Sequence, residues 1–168
     1  MSSNQKTPEL FCESLGKAKN YGEVWKIVQE TAEYALGKRR NSMMLFLDDL
    51  PMQLGAYYPM GTNNIVLNRA LVDVVEASVT DKSTVNALVY NLLLHEYLHA
   101  LGEMSETRVR REVVEVAKKS FGEQHIATEV ARKSPWVLLK DVSLRTMSAP
   151  KHVMEIVHDF ERTGKYIV

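Results

Sequence analysis

The sequence predicts an α+β fold in which helices pack on a small sheet. Apolar residues recur at helical spacing in long stretches before and after the middle of the chain. Three short apolar runs bounded by turn formers lie between them, within residues 42–67. The resulting order is helices, a strand, a hairpin, a helix and then a strongly apolar helix. This order places the helices against one sheet layer.

The first helix is expected from Pro8 to Lys19, with Thr7 as its cap and Pro8 at its first position, where the missing N–H costs nothing. Asn20 or Gly22 breaks it. Tyr21 to Leu36 carries Val24, Trp25, Ile27, Val28, Ala32, Ala35 and Leu36 on one stripe. Gly37 ends that helix, and Lys38, Arg39 and Arg40 are expected as a solvated terminus that complements the dipole. Ser42 to Leu47, SMMLFL, reads as a buried strand closed by Asp48, Asp49 and Pro51. Leu54 to Tyr58 and Asn64 to Leu67 read as two more short strands, joined by a turn containing Pro59, Gly61 and Asn63. Tyr57 and Tyr58 are expected as sheet residues. Asn68 caps a helix from Arg69 to about Val79.

Val85 to Leu94, VNALVYNLLL, is apolar nearly all round, as a buried helix is. Asp81 and Ser83 are its candidate caps, and Gly102 is placed to end it in a left-handed turn. Glu106 to Phe121 continues as helix, with Val109, Val113, Val116 and Ala117 on one side and Gly122 as its end. Arg108, Arg110 and Arg111 are expected as a solvated face paired with nearby glutamates. Glu123 to Lys133 is a further helix, and Trp136 to Leu139 is either strand or buried helix. Arg145 to Pro150 reads as a turn. Lys151 to Glu161 reads as a closing helix with Val153, Ile156, Val157 and Phe160 inward, stopped by Gly164. His125, His152 and His158 are expected at the surface or half-buried.

At 168 residues the chain is read as one compact domain, residues 1–104 forming the sheet and the apolar helix and residues 105–168 a mostly helical part. Its 21 basic and 21 acidic residues cancel, so no global field draws it to nucleic acid or an anionic membrane. The single cysteine, Cys12, excludes an internal disulfide and points to a reducing compartment, the cytoplasm. Residues 1–10 lack an apolar run behind a basic start, so no signal peptide is expected, and no apolar run is long enough to span a membrane. The oligomeric state is left open.

The chemistry is concentrated in NLLLHEYLHALGEMSETRVRR, residues 91–111. His95, Glu96 and His99 have the HExxH spacing. Histidines four apart lie on one helix face, about a turn from each other, so their rings can close on one ion. A glutamate directly after the first histidine can stand beside water held by that ion and act as general base. A catalytic zinc needs a third protein ligand. Glu103 is unsuitable, because on one continuous helix it lies about 12 Å from His95 along the axis. Beyond Gly102 the candidates are Glu106, Glu112 and Glu115, and Glu106, the first carboxylate after the turn, is preferred over Ser105, a poor zinc ligand.

His95 to Gly102, HEYLHALG, resembles the active-site helix of zincin metalloproteases, HExxHxxG in the metzincin clan. The predicted order of strand, short edge strand, helix and HExxH helix is similar to the zincin N-terminal subdomain. The resemblance implies a small mixed sheet whose edge strand binds extended substrate by strand addition. Leu54 to Tyr58 is the matching segment, with Gly55, Ala56 and Tyr57 as the substrate-binding residues. Met147, in Thr146-Met147-Ser148, resembles the metzincin Met-turn. Metzincins carry a His or Asp where this chain has Ser105, whereas the gluzincin clan uses a glutamate from a following helix, as Glu106 would be. The resemblance therefore implies a zinc peptidase with Glu96 as catalytic base, His95, His99 and Glu106 on Zn²⁺, and a peptide or protein substrate. The alternative is a catalytically silent zincin-like protein whose zinc is structural or regulatory and which acts by protein–protein interaction.

Overall fold

The computed structural model describes residues 7–139 and 153–161. Helix α1 (Pro8–Lys17) begins at Thr7, with Pro8 in its first turn, and α2 (Tyr21–Leu36) is capped by the Asn20 side chain accepting from Glu23 N–H. Gly37, at φ +68°, ends α2 in the left-handed region that glycine enters without strain. Strand β1 (Met44–Asp48) follows, then β2 (Ala56–Tyr57) and β3 (Asn64–Asn68). The sheet runs β2-β3-β1-β4 and is mixed: β1 and β3 are parallel, while β2 pairs antiparallel with β3, Ala56 opposite Leu67. This leaves β2 as an edge strand.

Asn68 joins the sheet to α3 (Arg69–Ser78) and does more than cap it. Its fully buried side chain accepts from Leu71 and Leu50 N–H and shares its amide among the carbonyls of Leu50, Pro51 and Leu54. It therefore shapes the loop that delivers β2.

Helix α4 (Lys82–Ala100) runs through the centre. It packs against α1, α2 and α3, against α5 (Glu106–Phe121) and α6 (Ile126–Lys133), and against β2 and β3. Every residue from Val85 to Leu94 is buried, as the all-round apolar sequence requires. Its buried polar groups are tied to neighbours. Asn86 donates to the carbonyls of Leu15 and Ala18 at the end of α1, and Tyr90 shares a 2.8 Å hydrogen bond with Thr31 of α2. Asp81 stands at the N-cap without a side-chain cap bond. No helix among the described residues is long and apolar enough to cross a membrane.

Several expectations are corrected. The segment read as a closing helix over Lys151 to Glu161 holds strand β4 (Glu155–Ile156), antiparallel to β1, followed by a turn. Its apolar residues do have helical spacing, but Val153 is 87% exposed and only Phe160 is buried. The open edge of β1 offers unpaired backbone groups, and Val157 N–H takes the carbonyl of Leu45. Beyond the strand, Glu161 accepts from Met43 N–H and from the Trp25 indole, and Phe160 stacks on Trp25. The C-terminal part is thus not wholly helical. Helix α6 starts at Ile126, with His125 capping it and stacked on Phe121, and Pro135–Leu139 is a short 3-10 helix. Arg145 to Pro150 lies outside the described residues.

Arg40 is not a solvated terminus. Its guanidinium donates to the Tyr58 hydroxyl and to the carbonyls of Ala100 and Thr62, while its own N–H donates to the Tyr97 hydroxyl. It clamps the C-terminal end of α4, where the helix dipole favours a cation, to the turn between β2 and β3.

Asn68→Ala removes a buried hub of hydrogen bonds. It is expected to cost about 2–4 kcal/mol, read as a lower midpoint in chemical denaturation.

Candidate metal centre

The last two turns of α4 are where the buried helix first meets an opening. His95 and His99 are partly exposed there, with ring centroids 5.2 Å apart, while Glu96 between them stays 9% exposed. The chain then reverses. Gly102 at φ +109° and the bond from Glu103 N–H to the carbonyl of Leu98 close α4. The Ser105 side chain accepts from Arg108 N–H and starts α5, so Glu106 becomes its first residue. From that position the Glu106 carboxylate meets both imidazoles: Oε2 is 3.1 Å from His95 Nε2 and Oε1 is 2.7 Å from His99 Nε2.

Ligand atoms of His95, His99 and Glu106 all lie within 4.8 Å of one another, a group that could hold a metal ion. The other acids considered for the third position stay out of this group. The Glu103 carboxylate accepts from Ser105 N–H instead, and Glu112 and Glu115 lie further along α5.

The hydrogen bonds around His99 fix the orientation of its ring. Its Nδ1 is 2.8 Å from the carbonyl oxygen of Glu103. A carbonyl cannot donate, so Nδ1 carries the hydrogen, and in the neutral ring Nε2 presents a bare lone pair. That lone pair faces a carboxylate oxygen at 2.7 Å. Two lone pairs at this distance repel unless a positive charge lies between them, either a proton or a cation shared by the three groups. Burial pushes the His95 imidazole below its ordinary pKa, against the pull of Glu106. Burial also works against the Glu106 carboxylate, but the two imidazoles outweigh it and hold its pKa down. Two imidazole nitrogens and one carboxylate oxygen, with the carboxylate side 60% exposed, form a donor set that suits zinc and leaves room for a further ligand.

Glu96 stands apart from this arrangement. Burial, helped by the nearby Glu106 charge, pushes its pKa up to about 8 against the opposing backbone of Tyr58. A cation at the neighbouring group would favour its ionised form.

The centre opens on a cleft of ≈ 1050 Å³ whose lining includes Gly55, Ala56 and Tyr57 along one side. Edge strand β2 lies close against α4 there: a Cβ on Gly55 would sit 2.5 Å from a Leu92 methyl carbon. Tyr58, next to it, is occupied by Arg40 and by the carbonyl of Thr62. Tyr58 and Arg40 position this wall and were not signalled as site residues by the sequence, in which Arg40 reads as one member of a basic cluster. Arg110 and Arg111 also line the cleft and, with Arg108, have no acidic partner among the described residues, contrary to the expectation of paired charges. Met147 lies outside the described residues.

Replacing His95 or His99 with Ala, or Glu106 with Gln, is expected to weaken zinc binding at least about 100-fold in calorimetry, while Glu112→Gln leaves it unchanged. A second expectation concerns the metal-free protein. The Glu96 pKa is raised on folding, so its contribution to stability is full below about 4.5 and is lost as pH rises to about 8. His95, whose pKa is lowered, gives the opposite slope, but only below about 6.5. Thermal unfolding of the chelated protein should therefore show stability falling from about pH 6.5 to 8, with Glu96→Gln flattening the fall.

Comparison with known proteins brings no match: no family model fits the chain, and no curated protein and no solved structure is similar to it.

Proposed function

We propose that this protein is a zinc-dependent peptidase that hydrolyses peptide bonds with Glu96 as general base. The observation that carries the reading is the meeting of His95, His99 and Glu106 within 4.8 Å, beside a buried glutamate and at the edge of a cleft. The donor chemistry supports zinc over a harder cation such as Mg²⁺, which takes oxygen ligands. Edge strand β2, antiparallel to β3 and alongside the centre, supports an extended peptide as the substrate. The order β1, β2, β3, α3, α4, with β2 at the sheet edge, supports the zincin-like arrangement suggested by HEYLHALG. The one half-buried cysteine fits a reducing, cytoplasmic setting.

Zinc held there supplies a Lewis acid, which polarises the scissile carbonyl and makes water a nucleophile near neutral pH. The chain's own groups do the rest. His95 and His99 present Nε2, and the Nδ1 hydrogen bond to Glu103 keeps the His99 ring in the required tautomer. Glu96 takes the proton of the attacking water on its carboxylate as the new C–O bond forms. It then gives that proton to the amine nitrogen as the C–N bond breaks. Gly55, Ala56 and Tyr57 bind the substrate backbone by adding it to the sheet edge.

Glu96→Gln should keep its zinc and lower kcat/KM on a cleaved peptide by about 10²–10⁴-fold. Chelation should abolish cleavage, and added zinc should restore it. Retained cleavage in Glu96→Gln removes Glu96 from the mechanism. Zinc binding by wild type with no cleavage across a peptide library overturns the peptidase reading in favour of a catalytically silent zinc protein.

A further inference from the structure

The charges lining the cleft are distributed unevenly. Among the described residues its carboxylates are Glu96 and Glu106, both at the histidines. The wall formed by α5 and α6 carries Arg110, Arg111, Arg132 and Lys133. On α6, Arg132 is paired with Glu123 and Lys133 with Glu129. On α5, Arg110 and Arg111 have no acidic partner among the described residues, although the whole chain is formally neutral. Two unpaired guanidinium groups beside a centre that itself attracts a divalent cation are a local field, not a reflection of overall charge.

We propose that Arg110 and Arg111 form a subsite for an anionic group of the substrate, a carboxylate carried about two residues from the scissile bond. This rests on the peptidase reading of the same cleft. Arg110 is four residues beyond Glu106 on α5, about 6 Å along the helix axis. An extended peptide covers that distance in about two residues. A guanidinium presents a planar pair of donors that matches a carboxylate, and an unpaired one gives up no internal ion pair to bind it.

The α4 wall of the same cleft holds a rigidly oriented polar side chain. Asn91, one turn before His95 on α4, lines it and is 3% exposed. Its amide donates to the carbonyls of Ala87 and Ala127, which fixes its orientation, and its Oδ1 has no partner.

The test measures binding without turnover. Zinc-loaded Glu96→Gln is titrated with fluorescent peptides of one common sequence, carrying Glu, Gln or Lys at a single variable position that is moved along the chain. Each peptide is made with a free and with an amidated C-terminus. The Glu peptide is expected to bind about tenfold tighter than the Gln peptide, and the Lys peptide weakest, with the preference shrinking as salt rises. If the free C-terminus alone confers the gain, the bound carboxylate is the chain end; if the Glu side chain confers it in amidated peptides, it is the side chain. The preference should vanish in Arg110→Ala/Arg111→Ala and turn toward Lys in Arg110→Glu/Arg111→Glu, each checked for native circular dichroism. Equal affinity for all peptides, no binding of any, or a preference that survives the double Ala variant overturns the subsite. Arginine-dependent binding with no cleavage by wild type leaves the subsite standing and removes the peptidase reading. Cleavage of all peptides with no charge preference does the reverse.

Discussion

Fourteen of the nineteen residues of α4 are buried, and the helix touches every other α-helix and two strands of the sheet. Burying each large apolar side chain contributes about 2 kcal/mol, so a rotation that brought several of them to water would cost more than a domain of this size has to spare. The helix is also keyed by polar contacts at fixed angles: Asn86 to the end of α1, Tyr90 to Thr31, and Tyr97 to the backbone of Arg40. A helix held this way has one azimuth. That azimuth turns His95 and His99 to the opening and keeps Glu96 at the edge of the core. Rigid support of this kind is what a metal site needs from its scaffold.

The second element of the centre depends on a chain reversal. Gly102 takes a backbone conformation unfavourable to other residues, and Ser105 starts a new helix three residues later. These two local events put a carboxylate opposite two ring nitrogens. A first-turn glutamate is favoured by the dipole of α5, but here it faces inward to the imidazoles and carries a depressed pKa. The result is a concentration of lone pairs, with the His99 tautomer fixed by the Glu103 carbonyl. The group is thus arranged so that it could hold a cation, and the raised pKa of Glu96 follows mainly from burial, helped by the Glu106 charge.

The walls of the cleft come from different parts of the chain. Asn68 shapes the loop before β2, and Arg40 clamps the turn after it to the end of α4. The edge strand beside the centre is therefore held from both ends by single polar side chains, buried Asn68 and part-buried Arg40, that bond to backbone carbonyls. Such groups stabilise one arrangement strongly because leaving any of them unpaired is costly. The opposite wall is ordered by the packing of α5 and α6 on α4, and it is there that the unpaired arginines stand.

Local pattern alone determined much of this protein. The all-round apolar run before His95, the HExxH spacing, the glycine that ends α4 and the cap at Asn68 act within a few residues, so each is legible in the chain. Glu106 as the third member of the group was legible too, because a helix restart after a turn brings its first side chains back over the previous helix end. Only tertiary structure decided the rest. Val153 to Phe160 has helical spacing, yet the free edge of β1 pairs its Glu155–Ile156 as strand, since backbone pairing across the fold outweighs a marginal local preference. Arg40 looks like a solvated cation until carbonyls distant in sequence surround it, and Arg110 and Arg111 look like partners for glutamates yet have no acidic partner among the described residues. Charges act through space, so their partners are set by which helices come to lie side by side, and no spacing along the chain records that.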